Sequence, residues 1–152
     1  MGFFKRKKVL NSIATGNLIP LNKVADEVFS SKMLGNGFAI SEHNGEVYSP
    51  LDGTITSIFP TKHAITLTDL KGESVLIHMG IDTVDLKGEG FDIFVTENQK
   101  VKKGDKLAKM DISFLKEKGK DSTIIIVTPE SQAGELLLGE QIVTPKNQVF
   151  KL

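Results

Sequence analysis

The sequence has no cysteine, only three histidines and no surplus of either charge, because 19 basic residues balance 19 acidic ones over 152 residues. The absence of cysteine excludes disulfide scaffolds, thiolate metal sites and cysteine nucleophiles. The balanced charge argues against nucleic acid as the main partner. The longest apolar run, Ile124–Val127, is far shorter than the ~20 residues that a transmembrane helix needs.

The length fits one domain that can bury a core without disulfides or metal. We expect this domain to span residues 13–152, after a flexible basic tail over residues 1–12. The tail is not a signal peptide, because its charges follow Phe3 and Phe4 and no apolar stretch comes after them. The chain is therefore predicted to be cytoplasmic. Residues 3–8 either rest on an anionic membrane surface, which would make the protein membrane-peripheral, or stay solvated.

Short β-branched runs bounded by turn residues make up most of the chain. One helix is indicated, capped by Asp111, formed by 112–118 and ended by Gly119. This spacing predicts an all-β fold, an antiparallel β-sandwich with at most one or two short helices. The predicted strands are Asn17–Leu21, Gly37–Ser41, Glu46–Ser49, Thr54–Phe59, Ala64–Leu67, Ser74–His78, Phe91–Phe94, Lys106–Met110, Thr123–Val127, Glu135–Leu138 and Gln148–Lys151.

Two histidines, His63 and His78, flank a hairpin-like segment with a turn cluster in its middle. A two- or four-residue loop centred between Leu70 and Lys71 would place them directly opposite each other, with Cβ atoms about 4.5–5.5 Å apart. A three-residue loop with Gly72 in a left-handed bulge would shift the register and put the two side chains on opposite faces. The turn residues suit both loops. A shared site for a proton, a metal or a phosphoryl group requires the first.

The third histidine, His43, lies in the polar segment 41–45. Such a segment is typical of a turn. We expect His43 to be a solvated loop residue.

Several motifs carry resemblances to known proteins. SPLDGTI (49–55) and VKKGDKL (101–107) resemble turn-and-strand units of the hybrid folds in lipoyl and biotinyl carriers, and TGNLIPL (15–21) echoes DGTITSI (52–58). VFSSKMLGNGFAI (28–40), FPTKHAITL (59–67) and HMGIDTVDLKGEGF (78–91) are similar to the glucose-type IIA component of the phosphoenolpyruvate-dependent sugar phosphotransferase system. This last resemblance implies one glucose-type IIA domain, a sandwich with a duplicated hybrid motif, and a phosphotransferase relay function.

The same resemblance implies roles for individual residues. His78 matches the phosphorylated nucleophile, and His63 matches the histidine that stabilises the phosphoryl group. Neutral imidazole suits both roles, because its unperturbed pKa is near 6.5. The Thr61 hydroxyl is expected to orient His63, and the Asp82 carboxylate to repel or steer the phosphoryl group. No cofactor is implied.

The implied partners are the phosphocarrier protein HPr, as donor, and the IIB domain of a sugar permease, as acceptor. Regulatory targets of the unphosphorylated form are also implied by some relatives. Ala25 stands where a proline is common in the family, and Ile65 replaces a frequent phenylalanine. These two departures bear on which partners the chain prefers. The docking patch maps onto six apolar residues, Phe29, Met33, Leu34, Phe59, Leu76 and Val84.

Two other classes of protein share parts of this fold. A zinc peptidase needs three protein ligands, usually with an H-x-H pair, and Met79-Gly80 after His78 breaks that pattern. We therefore expect no resident metal, and at most adventitious zinc on His63 and His78. A lipoyl or biotinyl carrier needs a modifiable lysine at a hairpin tip, whereas Lys109 ends a predicted strand just before a helix.

Overall fold

A computed structural model describes residues 8–152, and its main regular elements in this part of the chain are strands joined in antiparallel pairs. Two short α-helices accompany them there, α1 (Glu27–Ser30) and α2 (Ile112–Glu117), with 3-10 turns at Leu21–Lys23 and Thr83–Leu86. The predicted fold class is confirmed. The strands are β1 (Val9–Asn11), β2 (Gly16–Pro20), β3 (Gly35–Ser41), β4 (Glu46–Tyr48), β5 (Gly53–Ile58), β6 (Ala64–Thr68), β7 (Ser74–Met79), β8 (Phe91–Ile93), β9 (Lys100–Val101), β10 (Lys106–Met110), β11 (Ile124–Pro129), β12 (Glu135–Leu136), β13 (Ile142–Val143) and β14 (Gln148–Lys151).

These strands form one large sheet and two small ones. The large sheet has eight strands in the order β13-β2-β3-β11-β7-β6-β5-β9. The small sheets have the orders β1-β14-β12 and β4-β10-β8. Strand β7 therefore lies inside the large sheet, between β11 and β6, and its backbone is paired on both edges.

Apolar side chains cover both faces of the large sheet around strand β11. Ile124 and Ile126 belong to the main core, whereas Ile125 and Val127 belong to a second cluster beneath α1 and the first 3-10 turn. Alternate residues of a strand point to opposite faces, so burial on both faces explains the uninterrupted apolar run of β11. The second cluster matters for function, because Ile125 pairs directly with His78.

Three strands and one helix were not predicted from the sequence. Strands β1, β9 and β13 contain only two or three residues, which is too short for an alternating pattern to be visible. Helix α1 has four residues and is begun by Asp26, whose carboxylate accepts hydrogen bonds from the Val28 and Phe29 amides. Helix α2 agrees with the prediction, since Asp111 caps it at the Phe114 amide and Gly119 follows it with φ of +72°.

The predicted tail boundary at residue 12 is wrong. Strand β1 pairs with β14, and Leu10 is fully buried in the main core. Burial of this side chain stabilises the ordered segment by about 1.5–3 kcal/mol, which a solvated tail would forfeit. Residues 1–7, with Phe3 and Phe4, lie outside the described residues. Within residues 8–152, no helix is both long and apolar enough to cross a membrane.

Candidate functional site

His78 lies near the end of strand β7, on the face of the large sheet that carries the second apolar cluster. The residues of β7 alternate between buried and half-buried, and His78 is one of the half-buried positions. Its partner across the β6 edge is Ala64. A methyl side chain there leaves room beside the His78 ring.

The hairpin between β6 and β7 has the register of a three-residue loop. Gly72 adopts φ of +85°, a left-handed conformation that glycine accepts at little cost. Ala64 rather than His63 therefore stands opposite His78. The prediction that a shared site requires the even-numbered loop is wrong.

The two histidine rings nevertheless lie in contact, with centroids 5.0 Å apart and planes at 77°. The reason is that His63 precedes the regular part of β6. The turn before it is closed by the Phe59 amide, which donates to the Ala64 carbonyl at 3.0 Å, and Lys62 is left-handed with φ of +61°. The alternation of β6 starts only at Ala64, so the shifted register does not move His63 to the opposite face as expected.

The hydrogen bond at one nitrogen defines the tautomer of His78. Its Nδ1 lies 2.7 Å from the carbonyl oxygen of Gly80. A carbonyl oxygen can only accept, so Nδ1 carries the hydrogen and Nε2 keeps a free lone pair. Gly80 has φ of +86° and so turns its carbonyl to this position. The sequence does not reveal that the backbone of Gly80 selects which nitrogen of His78 keeps its lone pair.

The Thr61 hydroxyl contacts Nδ1 of His63 at 2.5 Å. His63 is buried, with 5 % of its surface exposed, although it lies at a sheet end. A hydroxyl can donate to a ring nitrogen, and in that arrangement Nε2 of His63 carries the hydrogen. The structure therefore brings together Thr61, His63 and His78, three of the four residues singled out for the chemistry.

The surroundings favour the neutral form of both imidazoles. Burial lowers the pKa of His63, and the neighbouring His78 lowers it further. Burial also lowers the pKa of His78, although the hydrogen bond to Gly80 and the carboxylates of Asp26 and Asp82 act in the opposite direction. Asp82 is exposed and left-handed with φ of +58°, so it acts on the ring by charge. The Asp26 carboxylate likewise favours the protonated form of His78. Asp26 was not singled out from the sequence.

Aromatic rings flank the histidine pair on two sides. Phe29 lies 4.9 Å from the His78 ring, and Phe59 lies 5.4 Å from the His63 ring, between centroids. Phe29 is buried in the second apolar cluster beneath His78. Helix α1 thus supports the His78 ring through Phe29.

The six residues proposed for partner docking fall into two groups. Met33, Leu34, Phe59 and Val84 are exposed, Met33 most of all at 72 %. The other two belong to the second apolar cluster, where Phe29 is buried and Leu76 is partly buried, so Phe29 supports the surface rather than forming it. Val28 is also exposed, at 42 %, and was missed because a four-residue helix gives no periodic signal. We call Val28, Met33, Leu34, Phe59 and Val84 the apolar patch.

His43 lies in a loop as predicted, but the prediction that it is solvated is wrong. Only 9 % of its surface is exposed, and both ring nitrogens are hydrogen-bonded to backbone groups. A polar loop composition did not reveal this, because the partner Ser122 is 79 positions away in the sequence.

Metal ligands are scarce around the histidine pair. Across residues 8–152, no three His, Cys, Asp or Glu side chains are grouped so as to hold a metal ion. His63 and His78 alone supply two nitrogens, one fewer than a catalytic zinc site needs.

Comparisons with known proteins agree with this geometry. A family model described as "phosphoenolpyruvate-dependent sugar phosphotransferase system, EIIA 1" matches residues 8–133, which include every site residue described above. Among solved structures, the chain is similar to the glucose permease IIA from Mycoplasma capricolum, with 35% sequence identity and a TM-score of 0.86. The alignment covers 99% of each chain.

Proposed function

We propose that His78 carries the phosphoryl group in this chain, which belongs to the EIIA 1 family of the phosphoenolpyruvate-dependent sugar phosphotransferase system. The chain is a phosphotransferase component, a phosphocarrier in phosphorylation-coupled sugar transport, and it interacts with HPr and with a IIB domain. The comparisons do not support a zinc peptidase.

The observation that carries the assignment of His78 is its free Nε2 beside a second imidazole. The Gly80 carbonyl occupies Nδ1, so Nε2 is the nitrogen with a lone pair to offer. The His63 ring packs against His78 at 5.0 Å and has Thr61 on its own Nδ1. A nitrogen with a free lone pair and an imidazole N–H donor therefore belong to two rings in contact.

The transfer step follows from these positions. As the bond between phosphorus and the donor histidine of HPr breaks, a bond forms from phosphorus to Nε2 of His78, in line with it. The His78 ring gains positive charge, which the Gly80 carbonyl and the Asp26 and Asp82 carboxylates stabilise. Once the phosphoryl group is on His78, the Nε2 hydrogen of His63 donates to one of its oxygens and stabilises the charge that develops in onward transfer to the IIB domain. Asp82 thus acts mainly on the ring charge, in addition to repelling the phosphoryl group.

The exposed surface supports transfer between two partners. A carrier must present its phosphoryl group to a donor and then to an acceptor, which a deep pocket would prevent. His78 is half-buried, and Phe59, an exposed side chain of the apolar patch, lies directly against His63. An apolar centre with a polar rim is typical of transient protein interfaces.

Phosphorylation of variants tests the assignment. The protein is incubated with phosphoenolpyruvate, enzyme I and HPr, and its intact mass is measured. We expect the wild type to gain one acid-labile, base-stable phosphoryl group and His78→Gln to gain none. Lys109→Gln, which removes the lysine that a lipoyl carrier would need, should be phosphorylated normally. A normally phosphorylated His78→Gln would contradict the assignment.

Membrane contact through the N-terminal residues is a separate part of the proposal. Phe3 and Phe4 with the cations at 5–7 would bind anionic lipid, each cation contributing on the order of 1 kcal/mol, whereas Lys8 is paired with Asp69. Vesicles containing phosphatidylserine should retain the full chain better than a chain lacking residues 1–7, and salt should abolish the difference. Equal retention of both chains would contradict membrane contact through the N-terminal residues.

Regulatory binding of other proteins by the unphosphorylated form would use the same apolar patch.

A further inference from the structure

His43 is a buried histidine that the proposed transfer step does not use. Its Nε2 lies 2.6 Å from the Ser122 carbonyl oxygen, and its Nδ1 accepts a hydrogen bond from the Gly45 amide at 2.9 Å. A carbonyl only accepts and an amide N–H only donates, so the ring is neutral with its hydrogen on Nε2. The ring therefore connects the loop before β4 to the start of β11.

The residues on either side of Ser122 hold the segment that follows His78. The Thr123 carbonyl accepts from the Gly80 amide at 3.0 Å, and the Asp121 carbonyl accepts from the Ile81 amide at 2.9 Å. Gly80 and the Asp121 carbonyl are packed closely. A Cβ added at Gly80 would lie only 3.0 Å from the Asp121 oxygen. The position of Gly80 is therefore fixed by segment 121–123.

We propose that His43 is a positioning residue for phosphoryl transfer. It holds segment 121–123, this segment holds Gly80, and the Gly80 carbonyl holds the hydrogen of His78 on Nδ1. The inference rests on the proposed role of His78 as phosphoacceptor. In this role, His43 acts on the reaction through other residues and contacts neither the phosphorus atom nor Nε2 of His78.

The charges around His43 favour the neutral ring that this task needs. Burial lowers the pKa of His43. The hydrogen bond to the Ser122 carbonyl and the Asp121 carboxylate both favour the protonated form, but their effect on the pKa is smaller than that of burial. Glu42, next to it in the loop, is engaged by the Asn17 side-chain amide at 2.7 Å. Protonation would place a hydrogen on Nδ1, facing the Gly45 N–H, and would break that hydrogen bond.

Two substitutions separate the two hydrogen bonds of His43. Glutamine places an amide N–H near the position of Nε2 and can reach Ser122, whereas asparagine reaches only the position of Nδ1. We expect His43→Asn to accept the phosphoryl group ~10-fold more slowly, which is about the rate equivalent of one lost hydrogen bond. His43→Gln should retain most of the rate. Nitrogen-15 NMR of the His78 ring should show the Nδ1–H tautomer in wild type and His43→Gln, and a tautomer mixture in His43→Asn.

Val149→Ala is the control for lost stability, since Val149 is buried in β14 and outside the chain of contacts described above. It should unfold more easily yet keep the wild-type tautomer and rate. If His43→Asn does not fold, His43→Leu takes its place with the same expectation. A wild-type tautomer and rate in that variant, or an equal shift in Val149→Ala, would overturn the inference. Neither result touches the proposed function, which fails only if His78→Gln is phosphorylated.

Discussion

At the scale of single residues, the partners of the ring nitrogens distinguish the three histidines. His78 and His63 each have one nitrogen occupied, by a carbonyl and by a hydroxyl, whereas both nitrogens of His43 bind backbone groups. Motif resemblance singled out the first two, whose ring partners Gly80 and Thr61 lie close to them in sequence. It could not identify the surroundings of His43, which depend on a distant strand.

Replacing His63 with glutamine should separate acceptance from onward transfer. His78 keeps its nucleophilic nitrogen, so phosphorylation by HPr is expected to survive. Transfer to the IIB domain should slow, because one donor to the phosphoryl oxygens is lost or misplaced, a change that typically costs ~10²–10³ in rate. Single-turnover transfer of labelled phosphate to IIB measures the effect. Thr61→Val should slow the same step more mildly, and unchanged transfer in both variants would contradict the role of His63.

At the scale of elements, the sequence predicted eleven of the strands through alternation and turn residues, but not how they pair. The β6–β7 hairpin shows why. Both loop lengths suit the turn residues, and the choice depends on Gly72 being left-handed. The contact between the two rings depends in turn on Lys62, which has a left-handed backbone conformation. Residues other than glycine seldom adopt this conformation. The two histidines are close as expected, but the turn before His63 brings them together rather than an even-numbered hairpin loop.

Helix α1 gives a prediction in which structure and charge can be separated. The Asp26 carboxylate caps the helix and also opposes the burial that lowers the pKa of His78. Asp26→Asn keeps a capping oxygen and removes the charge, so the pKa of His78 should fall while stability changes little. Asp26→Ala should lower that pKa as well and cost about 1 kcal/mol of unfolding free energy.

NMR titration of His78 and urea unfolding check the two effects in parallel. An unchanged His78 pKa in Asp26→Asn would show that the carboxylate is too well solvated to act on the ring. Equal stability of both variants would show that the cap contributes nothing.

At the scale of the whole molecule, all three histidines are neutral groups of the folded state, and this sets a pH dependence. Burial lowers the pKa of His43, His63 and His78 from the ordinary value of 6.5. Below about pH 6.5 the unfolded chain binds protons that the folded chain does not. The stability from the neutral rings is therefore fully present above that pH and is lost as the pH falls toward the lowered folded values.

Urea unfolding at about pH 7.5 and about pH 5.5 should show this loss, with a slope of at most about 1.4 kcal/mol per pH unit for each histidine. His43→Gln removes one of the three titrating groups and should lose less stability over the same range. An equal decline in wild type and variant would mean that His43 titrates alike in the folded and unfolded chains.

The pairing of β1 with β14 places the two ends of the described chain side by side. Val9 is opposite Lys151, and the Leu152 amide donates to the Lys8 carbonyl at 2.8 Å. Both strands belong to a sheet other than the one that carries His78. A force that pulls the two ends apart would load these hydrogen bonds one after another, as in opening a zipper, rather than all together. The small sheet would peel open first under tension, while the large sheet and its histidine pair would bear load only later.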